Sequence, residues 1–386
     1  MVSLSPLIKF INFTTFIILA PFFLESAIAE DDAALKTVRE MVNWVRSHGG
    51  FMSEKVDIHR MDPSDASSPF GIYAIQDIDE NENLFYIPKS LYVSPLGSPQ
   101  GNITLYNEYI CQSAHALMEE RKLDYQSKYA PYTRYLDTQK PGALPATYSK
   151  AGKDIMRQVF PPGHDAVDWI DKEFKETGCI SNDDSFAEHT VALVIQRGFD
   201  GTLIPVWDMV NHDNSRVNTD HNPIHSDQGI SVHASKKIPM GDQIFSTYDE
   251  CVDCGAVSSY WGTPEILRDF GFVENYPQRW VYMYEGVWFQ LDYDEGNKEF
   301  VVIFDEGEPK EDYWGIPTEE AVQFLRNELR RLDELAVTVL KTPPNQIPEH
   351  EWNTILQFHR ATGVALREAI KTVENDNGKA ESHDEF

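Results

Sequence analysis

The chain has 386 residues, with 33 Lys plus Arg against 62 Asp plus Glu, a formal net charge of −29 and a pI of about 4.7. Apolar residues at 41% and aromatics at 12% can fill large cores, so the composition argues against a wholly disordered chain. No basic run occurs, which argues against nucleic acid as a partner, because phosphate contacts need clustered Lys and Arg.

The first 29 residues read as a secretory-type leader, a signal peptide. Lys9 precedes an apolar run from Phe10 to Leu24, and Ala27-Ile28-Ala29 is a small-x-small cleavage pattern. The run is short for a membrane span and Pro21 interrupts it; a retained anchor is the alternative. Cleavage after Ala29 leaves no segment apolar and long enough to span a bilayer.

Next, Leu35, Val38, Met41, Val42 and Val45 mark one face of a helix over 33–48, ended by Gly49-Gly50. Short strand runs follow at 72–75 and 84–87, with turn residues Asp79, Glu80 and Asn81 between them. Residues 104–195 change to helical periodicity, at 105–117, 154–160, 167–174 and 186–195, with prolines in the loops between. Strands return at 203–206, at Ile230, Val232 and Ala234, and at Ile244-Phe245. A β-meander covers 280–304, and two helical stripes follow at 322–339 and 352–373.

The expected organisation is therefore α+β. A leader over 1–29 precedes a strand-rich half with its leading helix over 30–98. A helical insert spans 99–195, a second strand-rich half 196–276, and a meander-plus-helix domain 277–374. The polar tail 375–386 is expected to be disordered.

Four cysteines are present. Cys251 and Cys254 are two residues apart and Gly255 follows, so they can close a small disulfide loop or supply half of a zinc knuckle. Cys111 and Cys179 stand singly and far away in sequence; a four-thiolate site would need both to converge on the pair. Asn102-Ile103-Thr104 is a glycosylation sequon that matters only in a secretory lumen. His221 and His225 have a metal-ligand spacing, but Pro223 breaks the helix that spacing needs, so a polar loop is expected and no metal.

The chain lacks a GxSxG elbow, a P-loop, HExxH and GxGxxG. The richest cluster runs from Leu203 through Asp208, Met209, Val210, Asn211 and His212. It follows Arg197 and precedes Gly241-Asp242-Gln243-Ile244 to Tyr248, then Thr263 to Val273. Phe70 to Ala74 and Leu84 to Pro88 stand upstream, and Tyr129-Ala130-Pro131-Tyr132 with Tyr135-Leu136 and Pro145 lies in the helical block.

In that order and spacing, these blocks resemble the SET-domain protein methyltransferases, and within them the Rubisco large-subunit lysine methyltransferase class, whose SET domain is split by a helical insert. Asp208 to His212 resembles the D-x-x-N-H motif, and Gly241 to Tyr248 the G-E-x-I to S-Y-G strand. The likeness implies a SET-type β-fold and a helical substrate-binding domain at the C-terminus. It also implies methyl transfer from S-adenosyl-L-methionine to an amine of a protein substrate, most simply a lysine. Such a displacement needs a neutral nucleophile aligned with the methyl carbon and no metal.

By the same resemblance, Phe70, Gly71, Arg197, Asn211 and His212 would hold the cofactor. Arg197 would meet its carboxylate. Tyr248 would be the catalytic tyrosine, orienting the amine and stabilising its developing charge. Asp208 and Tyr248 would face the substrate.

The chain departs from the pattern in three places. Pro69 replaces the usual Gly before Phe70, Asp249 replaces the Gly after the site tyrosine, and 250–262 is an insertion carrying Cys251 and Cys254. These departures keep two other readings open: a catalytically silent SET-like binding module, and a protein-histidine methyltransferase. A secretory leader on an enzyme whose cofactor is made in the cytosol points to a secreted or endomembrane protein, or to a plastid reached through the endomembrane system.

Overall fold

The computed structural model describes residues 33–65, 68–94, 103–142, 144–199, 201–224, 226–248, 261–282, 285–304, 317–341 and 346–383. The expected leader, the sequon Asn102, His225 and the Cys251–Cys254 pair lie outside them.

Helix α1 (Ala33–Ser47) buries the five apolar residues its spacing marked and turns at Gly49, whose φ of +88° suits glycine. Strand β1 (Phe51–Met52) leads into β2 (Val56–Arg60), which pairs antiparallel with β3 (Phe70–Ala74). Strand β4 (Asn83–Pro88) buries Leu84, Phe85 and Ile87. The insert supplies α2 (Ile103–Leu123), α3 (Ala130–Asp137), α4 (Lys150–Val159) and α5 (Ser185–Arg197). Helix α3 was not among the periodic segments: it has only eight residues, too few for the period to stand out. The expected helix at 167–174 is instead a single π-turn, Asp171–Lys175.

After α5 come β5 (Gly198–Phe199), β6 (Thr202–Leu203), a 3₁₀ turn at Trp207–Met209 and β7 (Asn211–His212). The apolar run 203–206 is thus a strand for one residue only. Val206 turns it with φ +71°, a region that β-branched residues avoid. Strands β8 (Thr219–His221) and β9 (Gly229–Ala234) complete an antiparallel sheet in the order β1-β4-β9-β8. Strand β10 (Phe245–Ser246) pairs with β7 in parallel, Phe245 opposite Asn211 and Ser246 opposite His212.

The C-terminal part holds α6 (Thr263–Phe270), the meander β11 (Gln278–Tyr282), β12 (Val287–Asp294) and β13 (Glu299–Phe304), then α7 (Glu319–Thr338) and α8 (Glu349–His383). Two corrections follow. The backbone of α8 runs to His383, so the tail expected to be disordered from 375 is helical over most of its length. The insert over 99–195 also does not pack as one unit. Helices α2, α3 and α5 join the core of the strand-rich halves, whereas Tyr148, Ile155, Met156, Val159 and Phe160 around α4 join that of the C-terminal domain. Buried Glu351 on α8 locks α4 there, accepting from Ser149 N at 2.8 Å and Ser149 Oγ at 2.7 Å. Among the described residues no helix is long and apolar enough to cross a membrane.

Candidate active site

The site forms where two distant segments run side by side. Neither β7 nor β10 is long enough to hold itself, so buried side chains brace them. Asn218 Nδ2 donates to Gln243 O at 2.9 Å while its Oδ1 accepts from Phe245 N at 2.8 Å. Thr219 Oγ1 donates to Phe245 O at 2.8 Å. Such local side-chain bonds satisfy backbone groups that a short ladder leaves unpaired.

Asn211, next to this pairing, reaches the first strand pair: its Nδ2 donates to Phe70 O at 3.0 Å and lies 3.6 Å from Met61 Sδ. Gly71 leaves room for two side chains. A Cβ would sit 2.4 Å from Gln243 Nε2 and 3.1 Å from Asn211 Nδ2. The close approach at Gly71 is made by two side chains. The loop before Phe70, with Pro69 in it, is held through its neighbours: Met61 N donates to Pro69 O at 2.8 Å, and Arg60 Nη1 to Ser68 O at 2.6 Å.

His212 is buried. Its Nδ1 accepts from Tyr248 N at 2.9 Å, which leaves the proton on Nε2, donated to Glu274 at 2.9 Å. Glu274 also accepts from Asn214 at 3.1 Å and from Thr263 Oγ1. The imidazole thus fixes the backbone of Tyr248, a positioning role. The Tyr248 hydroxyl donates to Val210 O at 2.7 Å, and its ring packs on Phe270 at 4.6 Å between centroids. Burial holds the phenol well above its ordinary pKa, so it stays protonated at neutral pH.

Asp208 sits on the 3₁₀ turn with a fully buried side chain. Its Oδ2 accepts from the Tyr132 hydroxyl at 3.0 Å and lies 3.7 Å from Arg197 Nη1. Burial pushes the carboxyl up to about 6, against the pull of Arg197 and Tyr132. Its Oδ1 is buried and has no hydrogen-bond partner. Arg197, at the end of α5, donates from Nη1 to Asp208 O at 3.1 Å and from Nη2 to Gln139 Oε1 at 2.7 Å, with Tyr135 beneath it at 5.4 Å.

Seven of the residues singled out from sequence adjoin one another in groups: Phe70 and Gly71 touch Asn211, Arg197 touches Asp208, and His212 touches Tyr248, whereas Cys251 and Cys254 lie outside the described residues. Tyr132, Tyr135, Gln139, Gln243, Phe270 and Glu274 were missed as site residues. The i,i+3 spacing of Tyr132 and Tyr135 was the available signal, since it puts both phenols on one face of a helix. A groove of about 550 Å³ opens behind Glu274, between the second strand-rich half and the C-terminal domain, lined in part by Arg216, Tyr276, Tyr293 and Arg360.

This antiparallel fold, with its parallel β7–β10 crossing and an asparagine closing onto the first strand pair, is similar to that of solved SET-domain structures. The SET domain family model matches residues 69–249 of the chain. Two solved structures share the fold over most of the chain. "Structure of Rubisco LSMT bound to AdoMet" has a TM-score of 0.50 at 12% identity, covering 88% of this chain and 92% of that one. "Crystal structure of the SET domain of LSMT bound to Lysine and AdoHcy" has a TM-score of 0.50 at 11% identity, covering 89% and 92%. No curated protein matches.

Proposed function

We propose that the chain is an S-adenosylmethionine-dependent protein methyltransferase acting on a lysine of a non-histone protein. The observation that carries this reading is the parallel β7–β10 pairing, which gathers Phe70, Asp208, Asn211 and Tyr248 in one place. Two neighbours in fold support it, one bound to AdoMet and the other to lysine and AdoHcy.

The donor set fits these ligands. The unpartnered Oδ1 of Asp208 is free to accept a hydrogen bond, and the amino group of the cofactor or of a lysine is a donor of the right kind. The cofactor when bound supplies an electrophilic methyl carbon. Asn211 and the Phe70 backbone would line it, and Arg197 would face its carboxylate. Burial among Tyr132, Tyr135, Tyr248 and Phe270 disfavours a charged amine, whose ordinary pKa is about 10.4. Asp208 takes an amine N–H, and the Tyr248 hydroxyl aims the nitrogen and meets the positive charge that builds on it. The net charge of −29 favours a basic segment around the lysine. The leader carries the chain into the secretory route.

Titration calorimetry with S-adenosylmethionine tests the reading: one site per chain with measurable heat is expected. No heat and no thermal shift at millimolar cofactor would remove it.

A further inference from the structure

Cys111 and Cys179 form a disulfide across 68 residues of sequence, with a Cα–Cα distance of 5.9 Å. The bond ties α2 to the loop that leads into α5, the helix that ends in Arg197. His115 lies one turn after Cys111 on the same face of α2. Its Nε2 is 3.9 Å from Cys111 Sγ and 2.7 Å from the Cys179 carbonyl oxygen. The two sulfurs and the imidazole nitrogen all lie within 4.8 Å of one another. No part of the proposed methyl transfer uses this cluster.

We propose that the reduced form of this cluster is a zinc site, so that disulfide and metal are alternative clasps at one position. A tetrahedral zinc with bonds of about 2.3 Å to sulfur and about 2.0 Å to nitrogen sets S···N near about 3.6 Å and S···S near about 3.8 Å. The present 3.9 Å between His115 Nε2 and Cys111 Sγ is within a small movement of that. His115 is exposed, so its ring can give up the Cys179 carbonyl, protonate at Nδ1 toward water and turn Nε2 to the metal. Asn107 on α2 also bonds Glu173 beside the loop, at 2.7 Å, which keeps the two elements together once the sulfurs part. A water fills the fourth position.

The chemistry balances with an external phosphine. Phosphorus is oxidised to the phosphine oxide with oxygen from water, the S–S bond breaks, and the sulfurs take up two electrons and two protons. Both thiol protons leave when the metal binds. The two clasps suit opposite compartments: the disulfide an oxidising lumen, the metal a reducing organelle. This inference is independent of the methyl-transfer reading.

The test uses the full chain in a Cys251→Ser, Cys254→Ser background, so that Cys111 and Cys179 are its only sulfur ligands of cysteine type. After phosphine treatment, cobalt(II) is titrated without oxygen and the thiolate-to-metal absorption is followed. One cobalt per chain, displaced by zinc, is expected in the reduced protein and none in the oxidised protein. His115→Ala, an exposed change that leaves the fold intact by circular dichroism, should weaken binding by at least the roughly 10–100-fold that losing even an outer partner costs. No absorption in the reduced protein would overturn the proposal. So would unchanged affinity in His115→Ala or in a folded Cys111→Ser variant.

Discussion

The Tyr132 hydroxyl donates to Asp208 Oδ2 at 3.0 Å, joining the helical insert to the turn that precedes the D-x-x-N-H asparagine. The two residues are 76 apart in sequence. The insert is therefore part of the site wall as well as its support. The other carboxylate oxygen is left buried and unpartnered, which marks the place for an incoming donor.

Tyr248→Phe removes only the hydroxyl. Turnover is expected to fall about tenfold or more while cofactor affinity stays within about twofold, because an interaction strengthened in the transition state is lost. The Val210 carbonyl also loses its donor, at about 1–3 kcal/mol, so melting is measured in parallel. Unchanged turnover would move the site tyrosine elsewhere.

Asn211→Ala breaks the bond to Phe70 O and opens space beside Gly71. Cofactor affinity should weaken tenfold or more, and stability should fall by about 1–3 kcal/mol for the orphaned carbonyl. Calorimetry and thermal melting check the two effects separately; wild-type affinity would count against the register of the site.

Asp208 gives a signed pH dependence. Its folded carboxyl, raised to about 6 from an ordinary 3.8, binds its proton more tightly than the unfolded chain does. That contribution to stability is fully present below about pH 4 and is lost as pH rises through about 6. Activity should run the other way, since only the carboxylate accepts the amine. An acid limb in kcat/KM near pH 6 is expected in the wild type and should be absent in Asp208→Asn. A limb that persists in that variant belongs to another group.

Much of the fold was legible. Helix α1 and the meander were readable because single faces carry their apolar residues, and Phe70–Ala74 and Asn83–Pro88 because buried strands read as apolar runs. A strand was readable at Ile244-Phe245, but β7 and its pairing with β10 were not, because a two-residue strand has no period; the pairing is braced by Asn218 and Thr219, whose polar side chains look like loop residues until they are seen bonded to 243–245. Motif order still brought Asn211, His212 and Tyr248 to attention. It did not reveal that His212 spends both ring nitrogens on Tyr248 N and Glu274. The Cys111–Cys179 bond was missed for a related reason: separation along the chain says nothing of distance once α2 packs beside α5.

Glu274→Ala tests the positioning role of His212. The imidazole and the Thr263 hydroxyl lose their acceptor in a buried place, and Asn214 Nδ2 keeps the Pro277 carbonyl. A loss of about 1–3 kcal/mol for each orphaned buried donor is expected. A drop in turnover should accompany it, because the Tyr248 backbone hangs on the same ring. Unaltered melting and turnover would show that the network is incidental.

The leader is tested by fusing residues 1–35 to a fluorescent protein. Entry into the endomembrane system is expected, and diffuse cytosolic signal would discard it.

The most direct measurement of the central claim is transfer of isotopically labelled methyl from S-adenosylmethionine to proteins of a lysate, followed by mass spectrometry of the labelled peptides. Label on lysine side-chain nitrogen, strongly reduced with Tyr248→Phe, is the expected result. Label on histidine instead, or no label above that seen with Asn211→Ala, would contradict it.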